Sequence, residues 1–414
     1  METFDHVIVG GGIIGASVAY HLMRKGAGSV LLLERNELAS AASSQAAGLI
    51  LQASTKRWKT PLAKLTVDTL EVLEEELSRD AGFHMVGSMR LAASEMHAAE
   101  LDAMMKDAAS QNIPAERPSL TELRKLVPWL DVSNIINVAF FPDDGYADPY
   151  LLTLSYADAA RARGAIIRVR TNVHNVLVNQ KKVVGVLTDN GQIECGTVID
   201  ACGVWAALFS EKIGYSLPVA PVRSHYWIAE PDESFGGQQP VTILPDIAAY
   251  TRPEVGGLVL GVQEKNSVTF DARKLPEDLS AFSPTQGEEH WEVLADAYSG
   301  LEQFFPGIER AQFSSYICGL SSYTPDGEIV LGPVPGASGF YTATGDCGSG
   351  ITLSAGMGDV IADLALGRTP RFDIERFRPD RFGRVDPHSD HFRELCAAAR
   401  ATKLSGSTRL RDGA

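Results

Sequence analysis

The sequence lacks the cysteine patterns that mark disulfide-rich or zinc-binding proteins. Its 414 residues include five cysteines, an odd number, and none of them forms a CxxC pair. A disulfide framework or a structural zinc site is therefore not expected. This cysteine usage favours a reducing compartment, which we interpret as the cytoplasm.

Basic charge and long apolar runs are also scarce. Lys and Arg number 37 against 52 Asp and Glu, which gives a formal net charge of −15. Without a basic stripe to neutralise phosphates, a nucleic-acid partner is not expected. No uninterrupted apolar run approaches the length of a membrane span, and Glu2 and Asp5 stand where a signal peptide carries basic residues. The length suits two intimately packed globular domains.

The first strand, turn and helix, residues 4–22, carry the clearest motif. The apolar run 7–9 predicts a buried strand, the glycine motif Gly10-x-Gly12-x-x-Gly15 follows it, and apolar residues then continue at helical spacing. Gly10 permits a tight turn, Gly12 lets the backbone approach a pyrophosphate, and Gly15 lets the helix pack closely on the strand. The N-terminus of the helix would then face the phosphates.

A second strand completes this motif. The apolar run 30–33 ends at Glu34, nineteen residues after Gly15. A carboxylate at this spacing is placed to accept hydrogen bonds from a ribose hydroxyl. The sequence therefore predicts a bound dinucleotide.

Two further stretches are rich in small residues. The stretch 37–50 is either a flexible loop or backbone lying close against something flat or large. Farther on, the segment 345–350, GDCGSG, opens a helix predicted to run to about Leu366. The positive end of that helix dipole would stabilise an anion. A reduced flavin carries such a charge at its pyrimidine end and a nicotinamide does not, which favours FAD.

The remaining periodicity indicates two kinds of structure. Asp148 before Pro149 predicts a capped helix N-terminus, whereas alternating residues between about 218 and 316 predict an antiparallel sheet with one face towards solvent or a cavity. We expect an FAD-binding domain built from residues 1–82, 144–217 and 317–385. A second domain, 83–143 and 218–316, would be inserted into it, and 386–414 would form a polar, poorly packed C-terminal tail.

With these blocks in view, the chain resembles the D-amino-acid oxidase superfamily of FAD enzymes. Within it, the similarity is to the branch of sarcosine and glycine oxidases and of sarcosine and dimethylglycine dehydrogenases. It covers about residues 4–366 and rests on short blocks in the same order: VIVGGGIIG, LLLER, the 44–48 loop, DGYADPY, ACGVWA, PVRSHY, YTRPEVGGLVLG, TPDGEIVLGPVPG and ATGDCGSGITLSAG.

The resemblance implies an α/β fold, in which a Rossmann-like FAD-binding domain carries an inserted α+β substrate domain. It also implies oxidation of the C–N bond of a small secondary or tertiary amine, such as sarcosine or dimethylglycine. The substrate carbon would transfer hydride to flavin N5, and the resulting imine would hydrolyse. The electron acceptor (oxygen, a quinone or an electron-transfer flavoprotein) and a homo- or hetero-oligomeric state stay open.

Most of the residues expected to contact FAD come from these blocks. The full set is Gly10, Gly12, Ile13, Ile14, Gly15, Glu34, Arg35, Ser43, Ser44, Gln45, Ala47, Gly48, Leu49, Val173, Ala201, Gly203, Trp205, Gly319, Gly345, Gly348, Ser349, Gly350, Ile351 and Thr352.

The chain departs from the family at the positions of covalent attachment. Gln45 stands where the dehydrogenases can carry an FAD-anchoring histidine. Gly319 aligns with the anchoring cysteine of some sarcosine oxidases, and Cys318 lies one position earlier. We therefore expect noncovalent FAD.

It departs again at the groups that handle substrate and oxygen. Ser321 replaces the arginine that often clamps the substrate carboxylate, so either Arg252 or Arg223 substitutes for it or the substrate lacks an α-carboxylate. Val259 aligns with a lysine that promotes reaction with oxygen in some sarcosine oxidases. This weakens the case for an oxidase.

Four residues are candidates for substrate binding or catalysis. His225 is either presented over the flavin or hydrogen-bonded within the sheet. Tyr250 and Arg252 are two residues apart on one strand, so their side chains share a face. Either that face lines the cavity, or Arg252 makes a salt bridge at the surface. Tyr323 is either a cavity residue or a packed core tyrosine.

Two other functions remain open at this point. One is a flavoenzyme of the same fold that oxidises a C–O bond, for example in a 2-hydroxy acid. The other is an FAD-holding subunit of a hetero-oligomeric amine dehydrogenase, which the missing arginine motivates. A hydrolytic triad is not supported, because the sequence has no GxSxG motif.

Overall fold

The computed structural model describes residues 2–235 and 238–404. The helices are α1 (Ile13–Arg24), α2 (Lys59–Leu77), α3 (Glu95–Ser110), α4 (Leu120–Leu126), α5 (Pro149–Ala162), α6 (Ala206–Ser210), α7 (Glu289–Phe304), α8 (Gly350–Ala365) and α9 (Asp390–Ala401). The strands are β1 (Glu2–Val9), β2 (Val30–Leu33), β3 (Leu49–Ile50), β4 (Phe83–His84), β5 (Ser88–Ala92), β6 (Asn137–Phe141), β7 (Gly145–Ala147), β8 (Ile166–Arg168), β9 (Val173–Asn179), β10 (Lys182–Thr188), β11 (Gly191–Asp200), β12 (Ala220–Ala229), β13 (Val241–Leu244), β14 (Ala249–Glu254), β15 (Gly257–Val262), β16 (Phe313–Tyr323), β17 (Val330–Pro333) and β18 (Phe340–Thr344).

The first sheet contains the strand that precedes the glycine motif. Its order is β17-β18-β11-β1-β2-β8, with the β9–β10 hairpin added beside β11. Strands β18, β11, β1, β2 and β8 are parallel. All four residues of β2 are buried, as expected for a strand covered on both faces. Helices α1, α2, α5 and α8 form the core with one face of this sheet.

Local sequence explains how two of these helices begin. Gly15 lies so close to the preceding turn that a Cβ atom there would stand 1.9 Å from the carbonyl oxygen of Gly10. In α5, the carboxylate of Asp148 accepts hydrogen bonds from the backbone N–H groups of Tyr150 and Leu151, both at 2.9 Å. The predicted capped start with Pro149 at the first helical position is confirmed.

The second sheet has the order β16-β12-β15-β14-β13-β5-β6. Its neighbours are antiparallel except for the parallel pair β13 and β5. Helix α7 packs on it through Leu301 and Phe304. The predicted α/β fold with a mainly antiparallel second sheet is confirmed. The domain boundaries remain a prediction, and β16 runs through the one predicted between 316 and 317.

The C-terminal segment differs from its prediction. We expected poor packing from residue 386, but helix α9 buries Phe392 and Cys396 against Ala220, Val222 and Tyr323. The expectation is therefore wrong for the helical part, and residues 405–414 lie outside the described residues. The stretch looked polar because its exposed face is charged, whereas its buried residues recur every four positions along one face.

No helix within residues 2–235 and 238–404 combines the length and the hydropathy needed to cross a membrane.

Candidate active site

A cavity of about 420 Å³ lies at the carboxyl ends of the parallel strands. The turn after β1 contributes Gly10 and Gly12, β2 leads into Glu34, and β11 leads into Ala201 and Gly203. Ligands of open α/β sheets bind in this position, outside the carboxyl ends of the strands. The cavity therefore lies where the glycine motif predicts the dinucleotide.

Polar groups at this cavity are held in place. One oxygen of the Glu34 carboxylate accepts a hydrogen bond from the backbone N–H of Gly11 at 2.6 Å, and the other accepts one from Asn36 at 2.8 Å. The Arg35 guanidinium lies 4.0 Å from the ring centroid of Trp205. Its Nη2 atom is buried without a hydrogen-bond partner, so a donor remains available for an anionic or polar ligand.

A second cavity, of about 260 Å³, adjoins the first. The two share the wall residues Ile13, Ala42, Ser43 and Asp346, so they form one continuous cleft. The second cavity lies between the N-terminus of α8 and the inner face of the second sheet. Ser349 at that N-terminus makes no side-chain cap, and the first turn has no acidic residue. The positive end of α8 therefore faces the cavity, with the Asp346 carboxylate beside it accepting a hydrogen bond from the backbone N–H of Gly348.

These residues fit FAD. The glycine turn and the start of α1 lie at one end of the cleft, and the start of α8 lies at the other. Between them a Cβ atom at Gly319 would stand 2.5 Å from Oε1 of Gln45, and that oxygen has no hydrogen-bond partner. The absence of a side chain at Gly319 therefore lets the Gln45 side chain pack there, and the Oε1 atom of Gln45 remains a buried acceptor for a ligand.

Most of the residues predicted to contact FAD line this cleft. In the first cavity these are Gly10, Gly12, Ile13, Ile14, Glu34, Arg35, Ser43, Val173, Ala201, Gly203 and Trp205. In the second they are Gln45, Ala47, Gly48, Leu49, Gly319, Gly348, Ser349, Gly350, Ile351 and Thr352, with Ile13 and Ser43 shared. Three do not line it: Gly15 and Gly345 lie in the supporting backbone, and Ser44 is exposed.

Three of the four substrate candidates meet in the second cavity: His225, Tyr250 and Tyr323. Nδ1 of His225 lies 3.0 Å from the Tyr316 hydroxyl. Burial, with the nearby charges of arginines, lowers the pKa of His225 to about 3, so its ring is neutral at neutral pH. Burial raises the pKa of Tyr250 to about 12, and the Tyr323 hydroxyl is buried without a hydrogen-bond partner.

The fourth candidate, Arg252, is not in the cavity wall. Its Nε donates to the carbonyl of Ala47 at 2.7 Å, and its Nη1 donates to the Glu254 carboxylate at 2.8 Å. Alternation does put Arg252 on the same face of β14 as Tyr250. However, two residues of strand carry it roughly 7 Å farther along.

Arg223, the other arginine considered as a substitute clamp, is also committed. Its Nε and Nη2 atoms donate to the two oxygens of Glu264 at 3.0 and 2.9 Å, and Nη1 donates to Glu289 at 2.8 Å. A bidentate pair of this kind holds the guanidinium in place.

The sequence reasoning missed five cations that line the second cavity: Lys56, Lys59, Arg90, Arg400 and Lys403. Nζ of Lys59 donates to Oγ of Ser349 at 2.9 Å, and burial lowers the pKa of this lysine to about 8. Lys403 donates to the carbonyl of Gly348. None of them lies in a motif, because they come from the start of α2 and the segment leading into it, from β5, and from α9 and the turn after it.

Comparison with known proteins identifies the family of this chain. The model of the family FAD dependent oxidoreductase (DAO) matches residues 5–364. The chain is 33% identical over 378 residues to 4-methylaminobutanoate oxidase (formaldehyde-forming) of Paenarthrobacter nicotinovorans, covering 91% of this chain and 45% of that protein. It is 29% identical over 394 residues to mitochondrial dimethylglycine dehydrogenase of Mus musculus, covering 92% and 44%. The chain thus spans less than half the length of these curated relatives.

A solved structure extends the comparison to the fold. The crystal structure of glycine oxidase from Geobacillus kaustophilus superposes with a TM-score of 0.75 at 25% identity, covering 93% of this chain and 100% of that one. The family model spans both the glycine turn and the second glycine-rich helix start, which are the two ends of the cleft. The chain therefore belongs to the DAO family of FAD-dependent oxidoreductases.

Proposed function

We propose that this protein oxidises the C–N bond of a small secondary or tertiary amine, with an N-methyl amino acid as the substrate class. The observation that carries the proposal is the second cavity, which brings His225, Tyr250 and Tyr323 together beside the glycine-rich start of α8. Relatives named for 4-methylaminobutanoate and dimethylglycine support the choice of a methylated amine.

The wall residues suit such a substrate. When bound, FAD supplies the acceptor for the hydride that leaves the substrate carbon. Neutral His225 and the hydroxyls of Tyr250 and Tyr323 can hydrogen-bond an amine without adding a positive charge beside it. The start of α8 and Lys59 contribute positive potential to the same cavity, which favours negative charge near them.

The proposal includes noncovalent FAD. Gly319, whose missing side chain would point at Gln45, lines the cavity, whereas its neighbour Cys318 does not. Successive side chains on a strand point to opposite faces. The Cys318 sulfur instead accepts a hydrogen bond from the Thr285 hydroxyl at 3.3 Å.

Anaerobic stopped-flow spectroscopy tests this function. The purified protein is mixed with sarcosine, dimethylglycine or 4-methylaminobutanoate, and with lactate as a matched hydroxy acid. We expect one of the amines to bleach the flavin band within a single turnover and lactate to leave it unchanged. Bleaching by lactate alone would contradict the proposal, and so would the failure of every amine with FAD bound.

Acid precipitation of the same sample tests the mode of attachment. We expect yellow FAD in the supernatant. Colour that stays with the precipitate would show a covalent bond and would overturn the assignment of Cys318 and Gln45 as unattached.

A further inference from the structure

We propose that Arg400, on the C-terminal helix α9, binds the carboxylate of the substrate. The choice of a carboxylate-bearing amine rests on the proposed function, whereas the anion site itself rests on the geometry of Arg400. No motif assigns this residue a role, and it lies beyond the part of the chain that the family model matches.

Arg400 is buried in the wall of the second cavity. Its exposed fraction is 6%, and it lines the cavity together with Tyr250 and Tyr323. Nε donates to Oγ of Ser224 at 3.3 Å, while Nη1 is buried without a hydrogen-bond partner. The guanidinium is therefore held on one side and has a free donor on the other.

The charge of Arg400 is not neutralised by the protein. Across residues 2–235 and 238–404, no carboxylate oxygen lies within 4.0 Å of its guanidinium, in contrast to Arg223 and Arg252. Asp346, in the same wall, accepts a hydrogen bond from the backbone N–H of Gly348 at 2.7 Å. A buried charge without a partner is costly, and an anionic ligand in the cavity removes that cost.

Two serines make room for the guanidinium. Ser321, at the position where family members often carry an arginine, donates to Oγ of Ser224 at 3.3 Å, and Ser224 is the residue that Arg400 contacts. Strands β12 and β16 pair in this region, with Val222 opposite Ser321 and Ser224 opposite Gly319. Small side chains on both strands thus leave a space that α9 fills with Arg400.

Such an arginine selects for substrate charge. A guanidinium binds a carboxylate with charge-assisted hydrogen bonds, which an amide of the same shape does not replace. The preferred ligand is therefore an amine that carries a carboxylate. This assigns the carboxylate clamp to a helix far from the glycine motifs in sequence.

The test compares Arg400→Met and Arg400→Lys with the wild-type holoenzyme. Each protein is titrated with butanoate, which cannot be oxidised at a C–N bond, and with butanamide, its neutral match. The flavin spectrum and the midpoint temperature of thermal unfolding are followed. We expect Arg400→Met to weaken butanoate binding about 10- to 100-fold and to leave butanamide binding unchanged. Arg400→Lys should retain part of the affinity.

Arg393→Gln is the matched control. Arg393 lies on the same helix, pairs with Asp390 and is outside the cavity wall, so butanoate affinity should equal that of the wild type. Equal butanoate affinity in wild type and Arg400→Met would overturn the proposal, as would the absence of butanoate binding to the wild type. The absorbance ratio of FAD to protein reports whether each variant is folded.

The amine assay separates this inference from the proposed function. If no amine reduces the flavin while butanoate binding still depends on Arg400, the proposed function fails and the anion site stands. If an amine reduces the flavin and Arg400→Met leaves kcat/KM for it unchanged, the proposed function stands and the role of Arg400 is refuted.

Discussion

Gly15 shows how a single atom position controls the cofactor turn. A Cβ atom there would stand 1.9 Å from the carbonyl oxygen of Gly10, which is backbone and has no rotamer to change. The turn and the start of α1 must therefore separate if a side chain is added. Gly10, in turn, has a φ of +110°, a region that side chains disfavour.

Gly15→Ala should accordingly weaken both the fold and FAD retention. We expect a loss of about 1–3 kcal/mol in the free energy of unfolding and less than half the wild-type ratio of FAD to protein after gel filtration. Gly196→Ala is the control, because a Cβ atom at Gly196 would have no atom within 4 Å. A Gly15→Ala protein with full FAD content would contradict this account of the turn.

At the scale of elements, α9 completes the second cavity. Phe392 and Cys396 pack against strands β12 and β16, and Arg400 continues the same stripe into the cavity. The spacing of four residues puts all three side chains on one face of the helix. The apolar part of the stripe therefore positions its charged end.

Phe392→Ala should loosen this helix. Deleting a buried aromatic side chain typically costs about 3–5 kcal/mol, and here we also expect butanoate to bind more weakly because Arg400 loses its support. Urea unfolding measures the first effect and flavin titration the second. His391→Ala, on the exposed face of the same helix, should change neither. Unchanged stability in Phe392→Ala would show that α9 does not pack as described.

At the scale of the whole molecule, burial of neutral histidines makes stability depend on pH. His21, in α1, is 2% exposed and lies among cations, and burial lowers its pKa to about 3. His225 in β12 has a similarly lowered pKa. In the unfolded chain both histidines become protonated as the pH falls below about 6.5, whereas in the folded chain they stay neutral until about pH 3.

Stability should therefore fall as the pH drops from about 6.5 towards 3, by up to about 1.4 kcal/mol per pH unit for each histidine. Urea midpoints at pH 7, 6, 5 and 4 measure this. Protonation of carboxylates also lowers stability in acid, so the two proteins must be compared at each pH. The urea midpoint of His21→Gln should depend less steeply on pH than that of the wild type. Identical slopes for the two proteins would refute the assignment to His21.

Much of the fold and of the FAD cleft followed from local sequence. The glycine turn, Glu34 after β2 and the Asp148 cap each depend on neighbours within a few residues or on one strand-turn-helix unit, where backbone geometry leaves few alternatives. The second glycine-rich helix start was found for the same reason. These signals do not depend on how distant segments pack.

Only the tertiary structure decided which charged side chains face the second cavity. Arg252 and Arg223 were candidates by sequence, yet Glu254 and Glu264 engage them. Arg400 lies in a stretch that looked like a polar tail, and the packing of α9 on β12 and β16 brings it to the cavity. Sequence determined the cofactor turns because they are local. Which charged side chains face the second cavity depends on contacts between segments far apart in the chain, and a local sequence pattern does not predict such contacts.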